Sequence, residues 1–210
     1  MKIIKIYLLI TLLLPLGGAW AQTSFEEIDA NPAKAGGVYL AYPVEEYQQT
    51  PAPKGYQPFY ISHYGRHGSR FLLGDRDYKW IIDLLKDAQA QQALTDLGRD
   101  LLTELEELWP VVEGRGGDLT SVGERQHRGI AHRMYVHYPE VFQKAKKVSA
   151  RSTMSLRCAM SMAAFCDELK GLSPGLDMHL EASEKYVRYL NWQSNASNAF
   201  ADGKHGPWVE

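Results

Sequence analysis

The segment Tyr60-Ile61-Ser62-His63-Tyr64-Gly65-Arg66-His67-Gly68-Ser69-Arg70 constrains this chain most. Phe59, Tyr60 and Ile61 are strand formers, and the glycines that follow let the backbone bend. The pattern predicts a strand that stops at Arg66-His67-Gly68-Ser69-Arg70, with an imidazole between two guanidinium groups. A planar guanidinium grips phosphate oxygens through two parallel hydrogen bonds, so Arg66 and Arg70 suit a phosphoryl group. Neighbouring cations disfavour protonation of His67 and keep its imidazole nucleophilic toward phosphorus. Gly68 would leave room for a ligand to approach. The competing reading is a surface loop whose arginines are merely solvated.

Arg66-His67-Gly68-Ser69-Arg70 resembles the signature of the histidine acid phosphatases, the larger branch of the histidine phosphatase superfamily, and is most similar to the multiple inositol polyphosphate phosphatases. The resemblance implies that His67 is transiently phosphorylated and that Arg66, Arg70 and a third, distant arginine bind the phosphoryl group. It implies an α/β fold: a phosphoglycerate-mutase-like sheet with flanking helices and the start of a helical cap, incomplete in this chain. The implied substrate is a small phosphate ester, with inositol polyphosphates the nearest class and other organic phosphates the alternative, and no cofactor or metal is called for.

At the start of the chain, Lys2 and Lys5 precede an apolar run from Ile6 to Leu16 and a small-x-small ending, Ala19-Trp20-Ala21. Residues 1–21 read as a secretory signal peptide, which places the protein in the periplasm or outside the cell. The run is shorter than the roughly 20 residues of a bilayer span, so no membrane span is expected after cleavage. Loss of Lys2 and Lys5 leaves 21 basic against 25 acidic residues and takes the net charge from −2 to −4. That mild acidity argues against nucleic acid as a partner. The remaining 22–210, with the chain's 45% hydrophobic content, can bury a core as one domain.

Residues 22–57 are rich in turn formers and read as an irregular arm with a short strand near 37–41, tethered by Tyr39, Tyr42, Tyr47 and Tyr56. Helices are predicted over 79–87 and 93–109, the second carrying Leu94, Leu97, Leu101, Leu102, Leu105 and Leu108 as a core stripe and stopped by Pro110. Residues 76–118 match the place of the family's cap, where Arg76 and Lys79 could extend a positive field. Ser121 and Glu124 fit a capping box for a helix over 122–137, with His127, Ile130, Ala131 and Met134 on one face. His127, His132 and His137 fall five apart, which is not a helical metal-ligand spacing. Leu119-Thr120-x-x-Gly123-x-x-Gln126 also resembles the family, where this stretch is structural.

A strand over 147–153 and a helix over 154–171, capped by Ser152 or Thr153 and ended by Gly171, follow next. Arg151, just before that helix, is the expected third phosphate ligand, chiefly on the resemblance; Arg157 is expected on the helix flank, at the surface. Cys158 and Cys166 are eight residues apart on the helix, about 12 Å, and cannot bridge each other. Leu176 to Glu181 alternates as a half-buried strand, and 186–192 reads as a helix or connector.

Phosphoryl transfer leaves an alkoxide that needs a proton. The family takes it from a late His-Asp or His-Ala-Glu motif, and none of the seven histidines here begins such a motif; His205 reads as a loop residue. The chain is therefore expected to be an N-terminal fragment of a longer phosphatase. A small phosphoglycerate-mutase-like phosphatase and a non-catalytic phosphate-binding protein are the alternatives.

Overall fold

The structure, a computed structural model, describes residues 24–42, 50–144, 147–191 and 195–201. Contacts divide the chain into a unit through Ala41 and a unit from Tyr42 onward. The signal-peptide stretch, Tyr47 and His205 lie outside the described residues.

In the first unit, α1 spans Ser24–Ala30 and a 3₁₀ segment spans Pro32–Tyr39. Where a strand near 37–41 is expected, the chain turns instead. The side chain of Asn31 accepts from Ala33 N, Pro32 opens the turn, and Gly37 adopts φ 51°, a left-handed conformation no strand contains.

The second unit contains α2 (Arg76–Ala90), α3 (Asp96–Val112), α4 (Ser121–His137), α5 (Pro139–Lys144), β1 (Lys147–Ser152), α6 (Leu156–Leu172), β2 (Asp177–Ala182) and α7 (Val187–Leu190). A further helix, α8, spans Asn195–Ala201. β1 and β2 run parallel, with Lys147 opposite Asp177 and Arg151 opposite Glu181, and α6 is their crossover. This is a βαβ unit, so helices dominate around a small parallel sheet. The core gathers Ala131, Phe142, Leu169 and Leu176, flanked by Ile61, Val148, Phe165 and Met178. α4 and α6 pack on one another and contribute Ala131, Phe165 and Leu169 to it.

The expected strand at Phe59–Ile61 does not form. Among the described residues its ladder partner is missing: only Arg70 bridges, to Leu119, and Phe59 and Tyr60 are 89% and 72% exposed. That bridge frames the α2–α3 hairpin, whose stem closes through Phe71 N to Asp118 O at 3.0 Å and Gly117 N to Leu72 O at 2.8 Å. Helix α3 runs through Pro110 to Val112, because a proline in the last turn forfeits one hydrogen bond while its fixed φ stays helical. The leucine stripe is only partly core: Leu102 is buried, whereas Leu97 is 77% exposed and Leu101 and Leu108 also face solvent. Of the arm tyrosines, Tyr42 lies under the Arg133 guanidinium at 5.9 Å, and Tyr39 and Tyr56 are exposed.

Two caps differ from expectation. Thr120, not Ser121, begins α4 and accepts from Gly123 N at 3.1 Å, while Glu124 turns away to bond Arg128 at 3.1 Å. Helix α6 starts after Ser155, without a side-chain cap bond, and runs past Gly171 to Leu172. The later start puts Arg157 in the first turn of α6, and Arg151 stands inside β1.

Candidate functional site

The loop Arg66–Ser69 has no regular structure of its own and is held by side chains from two helices. Gly68 N donates to Ser161 Oγ at 3.0 Å, and Ser161 is buried on α6. Ser69 N donates to Gln126 Oε1 at 2.8 Å, and Ser69 O accepts from Thr120 Oγ1 at 2.8 Å and from Thr120 N at 2.9 Å. His127 Nε2 lies 3.1 Å from Arg66 O. Gly68 packs against Gly123 so closely that a Cβ on it would lie 2.4 Å from Gly123 O. The glycine is therefore needed for the helix that backs the loop, where the sequence suggested room for a ligand.

His67 Nδ1 lies 2.8 Å from Gly68 O. A carbonyl only accepts, so Nδ1 carries the proton and Nε2 keeps the lone pair of the neutral ring. Burial lowers the pKa of His67; the bond to Gly68 opposes this, and the guanidinium groups of Arg157, Arg66 and Arg70 lower it further. The neutral state expected from charge alone thus owes more to desolvation than to the flanking arginines.

His67 lines a cavity of about 680 Å³, a volume in the range of small-molecule sites. Phe59 to Ile61, His63, Tyr64 and Gly65 form one wall and residues Lys147 to Thr153 another, with Cys158, Ser161 and Phe165 from α6. His63 stacks on Phe165, ring centroids 5.3 Å apart and nearly parallel.

The two candidate arginines differ in how far each is already paired. Arg151 lines the cavity, but its Nε is 3.8 Å from Glu181 Oε2 and its guanidinium covers Tyr186 at 4.6 Å. Arg157, expected at the surface, has a buried Nε with no hydrogen-bond partner among the described residues, and its charge is the first of the three to act on His67. A buried, unsatisfied guanidinium nitrogen is costly unless an anion completes it. Arg70 is part-buried and donates to Phe71 O at 2.7 Å; Arg66 is exposed at the loop's start. The sequence did hold a signal for Arg157: a cation in a helix's first turn opposes the dipole, an arrangement that favours an anion there.

Cys158 and Cys166 are both free, the second buried with its thiol pushed up to about 11 by desolvation. His132 faces Glu168 at 3.2 Å. Among the described residues no group of three or more His, Cys, Asp or Glu side chains is arranged to hold a metal, and no helix is long and apolar enough to cross a membrane.

No protein-family model matches the chain, and no curated protein matches it. Among solved structures, the chain is similar to the multiple inositol polyphosphate phosphatase of Bifidobacterium longum in complex with inositol hexasulfate. The identity is 24% and the TM-score 0.49, over 65% of this chain and 29% of that one. The chain spans less than a third of that structure's length.

Proposed function

We propose that this chain carries the phosphate-accepting part of a phosphomonoester hydrolase that works through a phosphohistidine. The observation that carries the reading is His67: its Nδ1–H is fixed on Gly68 O, its neutral state is favoured by burial, and the charges of Arg157, Arg66 and Arg70 all act on it. In this reading the Nε2 lone pair attacks phosphorus, the ester P–O bond breaks, and the leaving oxygen takes a proton. Water then attacks the phosphohistidine, releasing phosphate and restoring the imidazole. Arg157, Arg66 and Arg70 neutralise the oxygens of the transferring group, and Arg151, held by Glu181, stands at the cavity wall as an outer cation. The substrate class is a polyanionic phosphate ester of the inositol polyphosphate kind, met by an exported protein.

The proton for the leaving group comes from outside this constellation. Among the described residues Asp177 is the carboxylate that lines the cavity, and it stands opposite Lys147 in the strand register at the start of the sheet. Four residues of strand, about 13 Å, separate that level from Arg151. This favours, as a second reading, a phosphate-binding protein without turnover. Hydrolysis of p-nitrophenyl phosphate at acid pH by the purified chain, with an acid-labile, base-stable phosphoryl group trapped on the wild type and absent from His67→Ala, is the expected result. Tight phosphate binding without hydrolysis or trapping would overturn the enzymatic reading in favour of the second.

A further inference from the structure

We propose that His127 is a positioning residue that fixes the peptide group from which Arg66 and His67 diverge; this rests on the phosphohistidine reading above. Gly123, Gln126 and His127 stand at i, i+3 and i+4 of α4 and so share one helix face. All three meet the loop: Gly123 packs on the backbone of Gly68 and Ser69, Gln126 accepts from Ser69 N, and His127 reaches Arg66 O. The acceptor is the carbonyl of the Arg66–His67 peptide itself. Fixing its plane sets the directions in which the phosphate-gripping guanidinium and the nucleophilic ring leave the chain.

Chemistry determines the state of His127. It is buried, and a buried polar group needs a partner. Arg66 O can only accept, so Nε2 of His127 carries the proton and donates. Burial, with the nearby His63 and His67, disfavours a second proton, which leaves a neutral ring with a single donor pointed at one carbonyl. Ala131 and Met134, on the same face of α4, belong to the apolar core and carry no donor that could orient the peptide. His127 reaches the edge of the cavity, but the bond it makes is to Arg66 O, and through that bond it acts on Arg66 and His67.

The test compares His127→Leu with His127→Gln, whose amide keeps a donor near the place of Nε2. Turnover of p-nitrophenyl phosphate, thermal unfolding and amide exchange at His67 and Gly68 are measured on each. In His127→Leu, kcat is expected to fall about 100-fold, the scale of a 1 Å misplacement at a reacting centre, with KM changed far less. His127→Gln is expected to recover at least tenfold of that loss, although both variants lose comparable thermal stability. Equal impairment of the two, or full activity in His127→Leu, overturns the proposal. If the leucine variant does not fold, His127→Asn, whose amide stops one methylene short, takes its place with the same expectation. A wild type without turnover overturns the phosphatase reading alone. Exchange then decides: faster exchange at His67 in the leucine or asparagine variant, restored in His127→Gln, sustains the positioning role, and unchanged exchange ends it.

Discussion

Replacing Gly123 by alanine sets helix propensity against packing, and the magnitudes decide the sign. A Cβ on Gly123 would lie 2.3 Å from Ser69 O, 2.7 Å from Ser69 N and 2.8 Å from Leu119 Cδ1. Two of those neighbours are backbone, so no rotamer change relieves the clash, and loop and helix must part by about 1 Å. Overpacking of this kind costs about 1–3 kcal/mol. Parting also stretches the three hydrogen bonds that end on Ser69, each worth about 1 kcal/mol net. Alanine in place of glycine inside a helix returns only about 1 kcal/mol. The net expectation is a destabilisation of about 3 kcal/mol, which at a slope of about 2 kcal/mol/M lowers the urea midpoint by about 1.5 M. Equilibrium unfolding followed by tryptophan fluorescence measures it, with phosphate binding assayed in parallel. An unchanged or raised midpoint with binding intact would refute the claim that the helix backs the loop this closely.

Arg157→Ala should weaken inorganic phosphate binding by at least tenfold more than Arg151→Ala does, as read by titration calorimetry, because Arg151 is already paired with Glu181. Arg157→Gln should also move the acid limb of the activity profile upward, since removing a cation beside His67 lets its lowered pKa rise, only in part because burial remains. His63, His67 and His127 all have pKa values lowered on folding, so the unfolded chain binds more protons below about pH 6.5. Stability should therefore fall as pH drops through that value, and a melting temperature that rises on acidification would contradict this. A thiol reagent near neutral pH should label Cys158 before Cys166, whose thiolate is suppressed by burial, and phosphate in the cavity should slow the first reaction, as mass spectrometry can follow.

The sequence exposed the chemistry of the loop more readily than its support. Arg66, His67 and Arg70 stood out as candidates because their residue types and spacing suit a phosphate by themselves, and α6 and β2 were legible from periodicity within one or two residues at their ends, whereas β1, with Val148 as its one strong strand former, was expected chiefly from the resemblance. Long-range placement was not. The first-turn signal at Arg157 becomes readable only once α6 is known to start at Leu156, and the strand register alone sets Arg151 opposite Glu181. His127, Gln126 and Ser161 read as ordinary helix residues until the helices are laid against the loop. Phe59 to Ile61 failed as a strand because β-propensity needs a neighbour to pair with, and the leucines of α3 read as core although half of their stripe meets solvent.

The clamps on the Arg66–Ser69 loop lie far along the chain: Thr120 at 51 residues, Gln126 at 57, His127 at 61 and Ser161 at 93. Closing such loops costs entropy that local contacts do not offset, so the site assembles late, after α4 and α6 have docked. On a ribosome adding about 5–20 residues per second, His67 emerges some seconds before Ser161 exists to receive Gly68. The nascent chain thus carries His67 for that interval as a plain solvated histidine, and the buried, neutral imidazole that the proposed function calls for exists only when α6 arrives.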